Sequence, residues 1–362
     1  MNTKKLFIPG PTHVLDETLR AMAQYPIGHR GQAYKDLHFE VVAGIQKVLF
    51  TKQSILLSTS SATGLMEASV RNLVQKRAAN FTCGAFSERW AEITEICGLP
   101  QDTFSVAWGK PNQPEQVREA LATGKYDVVT IVHNETSTGV TNPIAEIAKV
   151  VNEFPHVMLC VDSVSGMAGL PFYFDEWGVD VVFASVQKAW ALPPGFAVMA
   201  ISDRALRRAE STISSQKGFY FDLPLMAKSG AKGQTPITPS LPHMFGLQSQ
   251  LKRILAETVE NRFERHRQMA HRSREWGREK FGLFAESGYE SNTVTCFNNN
   301  AGIDLGKLIQ DAGNQGFIIS GGYGELKGKT FRIGHMGEHQ MADIEELLIV
   351  LDAITNALRD DR

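Results

Sequence analysis

The order of its apolar segments restricts this chain more than any other feature. Short aliphatic runs at 54–57, 126–132, 157–161, 179–184 and 196–201 alternate with segments of helical period such as 65–73 and 144–151. Short apolar strands separated by helices form a mostly parallel sheet covered on both faces, so the pattern predicts an α/β protein. Glycine, proline, serine and threonine interrupt the alternation across 215–243. A long helix is then expected over 245–276, with Leu247, Leu251, Ile254, Leu255, Val259 and Phe263 along one stripe. A strand at 293–297, a helix at 305–312, a strand at 330–333 and a closing helix at 341–358 follow. The expected division is an irregular segment over 1–15, a large domain over 16–245 and a smaller one over 246–362.

Composition narrows the classes of function. The 362 residues are 43% hydrophobic and 21% charged, an ordinary globular balance. A formal net charge of −2 offers no footprint for nucleic acid or membrane. Cys83, Cys97, Cys160 and Cys296 are scattered without a CxxC, so neither a metal site nor a disulfide framework is expected, and a reducing cytoplasm fits. Residues 1–6 lack the apolar stretch of a signal peptide. No run approaches the ~20 apolar residues of a membrane span.

Asp162 directly follows the 157–161 run, and Lys188 follows the 179–184 run after Ser185-Val186-Gln187. One strand–connection–strand unit separates them. Parallel strands therefore deliver both side chains to one sheet edge, where α/β proteins place ligands. Alone, each has an ordinary reading, the lysine as a solvated side chain and the aspartate as the start of a turn. Lys188, however, is held between an apolar strand and the Pro193-Pro194-Gly195 turn. An amine kept from water has a lowered pKa and becomes a usable nucleophile. A carboxylate facing a lysine is what a pyridoxal phosphate site needs: an amine for the cofactor's aldehyde and an anion for its pyridine nitrogen.

Other segments supply what such a site further requires. Thr59-Ser60-Ser61-Ala62-Thr63-Gly64 lies between the 54–57 strand and the 65–73 helix. Small hydroxyl residues at a helix N-terminus offer free N–H groups, side-chain donors and the positive dipole end to a phosphate. An ordinary N-cap needs only one of them. The turn from His133 to Gly139 ends the 126–132 strand at the same edge, where it is either a polar turn or a hydroxyl donor to the cofactor's phenolic oxygen. Phe86 opens the helix after Cys83-Gly84, its ring either stacking on the pyridine or packing in the core. Arg332 lies in a short apolar strand, where a guanidinium is costly unless paired, and its fork suits a substrate carboxylate. A structural salt bridge is the alternative, and His335, three residues on, is a candidate partner.

In this order the segments resemble the class V (fold type I) pyridoxal phosphate-dependent aminotransferases over nearly the whole chain. The resemblance is carried by Gly10-Pro11-Thr12, Ser61-Ala62-Thr63-Gly64-Leu65-Met66-Glu67-Ala68, Asn134-Glu135-Thr136-Ser137-Thr138-Gly139, Asp162-Ser163-Val164-Ser165, Ser185-Val186-Gln187-Lys188 and Phe331-Arg332-Ile333-Gly334. It implies a large domain built on a mostly parallel seven-stranded sheet and a smaller C-terminal α+β domain. It further implies that Lys188 carries the cofactor covalently and moves the proton, that Asp162 pairs with the pyridine nitrogen and that Thr136 meets the phenolic oxygen. Phe86 takes the stacking place, where many relatives have Trp or His. Ser61, Ala62 and Thr63, with Gln187, should hold the phosphate, although relatives often have Gly at the position of Ala62. Thr235 and Thr238 match a segment that reaches the neighbouring subunit's phosphate, which implies a homodimer with shared active sites.

Substrate choice turns on Gly28-His29-Arg30-Gly31. His29 and Arg30 resemble the His-Arg of phosphoserine aminotransferases, which contacts the substrate phosphate from the partner subunit. A similar pair occurs in relatives that use non-phosphorylated substrates. The leading expectation is transfer from glutamate to 3-phosphohydroxypyruvate, a step of serine biosynthesis, with serine/alanine–glyoxylate (or pyruvate) transfer as the alternative. A lyase such as a cysteine desulfurase needs a nucleophilic cysteine on a mobile loop, whereas Cys296 lies in an apolar strand. A silent binding protein would be expected to lack Lys188 or Asp162, and both are present.

Overall fold

The structure is a computed structural model that describes residues 4–360. Its centre is a seven-stranded sheet in the order Ser54–Ser58, Ala197–Ile201, Val181–Ser185, Met158–Asp162, Val128–Val132, Ala78–Thr82, Gln101–Ser105. Ala197–Ile201 runs antiparallel to both neighbours, and the other pairings are parallel. The mostly parallel α/β sheet expected from the sequence is therefore present. Because Ser54–Ser58 is antiparallel to the one reversed strand, it points the same way as the parallel set. The ends at Ser58, Thr82, Val132, Asp162 and Ser185 thus share one edge.

The four central strands are buried along their whole length, as continuous aliphatic runs require when both faces are covered. Alternate residues go to opposite faces. Val182, Ala184, Val198 and Ala200 pack with Tyr34, Leu37, Val41 and Ile45 of helix Gln32–Val48. Val181, Phe183, Ala197 and Met199 pack with Leu65, Met66 and Leu73 of helix Ala62–Leu73. Two strands were not singled out in the sequence, Ala78–Thr82 and Gln101–Ser105. The second is the sheet's outer strand and is half solvent-facing, so polar residues occupy it.

The helix expected over 245–276 is two helices, Leu241–Glu257 and Val259–Phe281. Thr258 breaks it with φ +67°, and its side-chain oxygen accepts from the Asn261 N–H to cap the second helix. Apolar side chains through Phe263 belong to the sheet's core, whereas those from Met269 onward join Phe297, Phe331, Leu347 and Leu351 in a C-terminal core. That second core covers a three-stranded antiparallel sheet, Val294–Asn298, Thr330–Gly334 and Ser320–Gly321. The 215–243 stretch contains two short helices, Ser214–Lys217 and Leu223–Gly230. The start of the chain is not wholly irregular. Lys5–Leu6 pairs in parallel with Phe317–Ile318, and the Gly334 N–H donates to the Phe7 carbonyl at 2.7 Å. No helix among the described residues is long and apolar enough to cross a membrane.

Candidate active site

Asp162 and Lys188 meet at the shared strand edge. Asp162 ends its strand opposite Phe183, and Lys188 lies three residues past the end of the neighbouring strand at Ser185. The Asp162 carboxylate is 2% exposed and accepts the Val164 N–H at 2.7 Å. Burial, only partly opposed by that bond, pushes its pKa up to about 7. Burial and the Arg332 charge push Lys188 down to about 8. Each group is therefore poised near neutrality, the condition for holding or moving a proton at ordinary pH. Lys188 Nζ donates to the Pro9 carbonyl, and the Thr12 hydroxyl donates to the Lys188 carbonyl at 3.0 Å. The N-terminal segment thus lies directly against the lysine.

One cavity, with about 560 Å³ of empty volume including its mouth, collects most of the expected residues. Ser61, Ala62, Thr63, Phe86, Thr136, Asp162, Gln187 and Lys188 all line it. Ser61 occupies the N-cap of helix Ala62–Leu73 without using its side chain to cap, so its hydroxyl is available to an anion. The Ala62 N–H is taken by the Ser185 hydroxyl at 2.7 Å. The buried Gln187 Oε1 has no hydrogen-bond partner. Because the two ends of an amide are interchangeable by a flip, this side chain can present either a donor or an acceptor to a ligand. The Thr136 hydroxyl donates to the Ser165 hydroxyl at 2.7 Å.

Phe86 owes its position to Glu135. This fully buried carboxylate accepts the N–H groups of Phe86 (3.3 Å) and Ser87 (3.0 Å) and the Ser87 hydroxyl (3.0 Å). It satisfies the free donors at the start of helix Ala85–Ile96 and complements that end's positive dipole. The Phe86 ring stacks on Tyr323 with centroids 5.3 Å apart.

Arg332 is 7% exposed and has no carboxylate partner among the described residues, so the salt-bridge alternative is not what holds it. Nε and Nη2 both donate to the Gly321 carbonyl and Nη1 to the Thr136 carbonyl, each at 3.1 Å. Its guanidinium lies 5.7 Å from the centre of the Tyr323 ring. His335 does not serve as its partner. The two residues are an odd number apart along one extended segment, which turns them to opposite faces. His335 instead bonds the Thr295 hydroxyl at 2.9 Å, and burial pushes its pKa down to about 3.

His29, Arg30, Thr235 and Thr238 do not line this cavity. Arg30 is bound to the Thr235 segment instead, donating to the Thr235 carbonyl at 2.9 Å and to Gln234 Oε1 at 3.2 Å. Cys296 is buried opposite Arg332 in the strand register, and burial pushes its thiol up to about 11, which is unlike a reactive nucleophile.

Sequence reasoning missed Arg89, Asn134 and Ser185 in the lining, and Glu135 and Tyr323 behind it. Arg89 had a usable signal, since it follows Phe86 by three residues on one helix and so shares its face.

A buried carboxylate aimed into a cavity beside a lysine of lowered pKa, near a helix N-terminus with free hydroxyls and an unpartnered amide, fits pyridoxal phosphate. The sequence model of the class-V aminotransferases matches residues 6–276, and the chain belongs to that family of pyridoxal phosphate enzymes. An uncharacterized aminotransferase of Methanocaldococcus jannaschii is 37% identical over 99% of this chain and 93% of its own length. A serine–glyoxylate aminotransferase of Methylorubrum extorquens is 34% identical over 97% of this chain and 89% of its own. Among solved structures, an alanine–glyoxylate aminotransferase of Nostoc superposes with a TM-score of 0.92 at 27% identity, covering 97% of this chain and 95% of the other.

Proposed function

We propose that this aminotransferase moves the amino group of a small amino acid, serine or alanine, to glyoxylate. The observation that carries the reading is Arg332, a buried guanidinium tied to backbone carbonyls and lacking a carboxylate, beside the cavity where Asp162 and Lys188 meet. Such a group is an orientation point for a substrate carboxylate. The serine–glyoxylate and alanine–glyoxylate relatives support this donor and acceptor over the phosphoserine expectation.

Bound pyridoxal phosphate supplies the electron sink that makes the substrate's α-proton removable. Lys188 would hold the cofactor covalently, and its lowered pKa suits its amine to carry a proton. Asp162 would keep the pyridine nitrogen protonated, and a cation so held would offset the cost of burying the carboxylate. Ser61, Thr63 and Gln187 hold the phosphate, and Thr136 lies toward the phenolic oxygen. Thr235 and Thr238, with Arg30 braced against their segment, serve the partner's site in a homodimer. The four free cysteines accord with a cytoplasmic setting.

Mixing the holoenzyme with serine, alanine or phosphoserine and following the loss of the resting cofactor's absorbance tests the substrate. Faster conversion by serine or alanine, with glyoxylate restoring the absorbance, is the expected result. A clear preference for phosphoserine would return the reading to His29 and Arg30.

A further inference from the structure

Arg89 lines the same cavity as Asp162 and Lys188 but is held quite differently from Arg332. Its guanidinium carbon lies 5.0 Å from the centre of the Phe86 ring, and Nη2 donates to the Tyr323 hydroxyl at 2.8 Å. Other arginines of the same region have acids beside them: Arg71 pairs with Glu67 and Arg77 with Asp102. Among the described residues, Arg89 has a ring face and one neutral hydroxyl. A guanidinium carries five N–H donors in a planar fork, so most of its capacity is not spent on protein partners among the described residues.

Tyr323 joins the two arginines. Its hydroxyl meets Arg89, its ring lies under Arg332, and the same ring stacks on Phe86. It is 38% exposed and sits between Gly322 and Gly324, the latter with φ +57°. Arg332 is fixed by three bonds to backbone carbonyls, whereas Arg89 is held by one bond to a partly exposed side chain.

We propose that Arg89 binds a carboxylate at the far end of the substrate, so that the enzyme accepts dicarboxylic amino and 2-oxo acids in addition to small ones. The inference rests on the reading of Arg332 as the site of the substrate's α-carboxylate. Tyr323 acts as the stand-in partner. With a monocarboxylic substrate Arg89 stays on the tyrosine hydroxyl, and no buried charge is stranded. With a dicarboxylic one the fork exchanges a neutral acceptor for a charged one, the stronger of the two bonds.

The test uses the holoenzyme and its Arg89→Gln, Arg89→Lys and Arg332→Gln variants. Succinate and propionate are titrated by their perturbation of the cofactor's absorbance, and kcat and KM are measured for aspartate, alanine and phosphoserine. Loss of one charged hydrogen bond should weaken succinate, and raise KM for aspartate, by about 10- to 100-fold in Arg89→Gln. Propionate and alanine should lose far less than succinate and aspartate, and Arg89→Lys should recover part of the loss, as expected if charge supplies part of the binding. Equal losses for the one- and two-carboxylate ligands, or no loss for either, would overturn the proposal. A loss confined to phosphoserine would overturn the assignment to a carboxylate. Arg332→Gln should weaken succinate and propionate together. If it weakens neither, the α-carboxylate reading fails on its own arm, whatever Arg89 does.

Discussion

Gly10 lies under Lys188 so closely that a Cβ on it would come within 2.4 Å of the lysine Cδ and 2.6 Å of its Nζ. The glycine also holds φ +115°, a conformation that residues with a Cβ rarely adopt. Sequence, backbone and the side chain proposed to hold the cofactor therefore meet at one position. Gly10→Ala is expected to displace the Lys188 amine and to lower kcat by at least about tenfold, because catalysis depends on sub-ångström placement. The same variant should change the pH at which the bound cofactor's spectrum titrates. An unchanged spectrum and kcat would show that the contact does not position the lysine.

Glu135 controls the site from behind. Its carboxylate is the acceptor for the first turn of the helix that carries both Phe86 and Arg89. Replacing it with alanine strands several buried donors, at a cost on the order of 1–3 kcal/mol. The measurement is the denaturation midpoint of the cofactor-free protein, and the loss should be accompanied by weaker cofactor binding. A variant as stable as the wild type would contradict the capping role.

Asp162 and Lys188 give the cofactor-free protein a defined pH dependence. The folded Asp162 titrates at about 7 against an ordinary 3.8, so between those values the folded chain holds a proton that the unfolded chain has released. Stability from this group is present at acid pH and falls as pH rises through the window. Lys188 titrates at about 8 in the fold against 10.5, so stability climbs again as pH rises across that interval. Buried histidines held below their ordinary pKa, His133, His335 and His339 among them, act in the opposite sense over the acid range, so the signature of Asp162 is a difference between wild type and variant. Asp162→Asn should gain stability relative to wild type as pH rises from about 4 to 7, which thermal melts of the two cofactor-free proteins would reveal. Parallel pH profiles in wild type and variant would contradict the burial argument.

What the sequence made legible depended on local pattern. The strands ending in Asp162 and leading to Lys188 are continuous aliphatic runs, and their parallel pairing follows from the helical connections between them. The position of Ser61 and Thr63 at a helix N-terminus was legible because a strand–turn–helix boundary needs no distant contact to define it. Arg89, Glu135 and Tyr323 were not, because each acquires its role from a residue far along the chain. The helix break at Thr258 gave no signal, since threonine is also tolerated inside helices and the apolar stripe continues across it. His335 was misread through sequence proximity to Arg332, which the strand's alternation overrides.

Asp162 and Lys188 are proposed as the two ends of one catalytic centre. Borohydride reduction of the holoenzyme, followed by peptide mass analysis, tests this. A pyridoxyl group on Lys188 is expected, and after Asp162→Asn the same attachment with weakened cofactor retention. A pyridoxyl group on another lysine, or none at all, would contradict it.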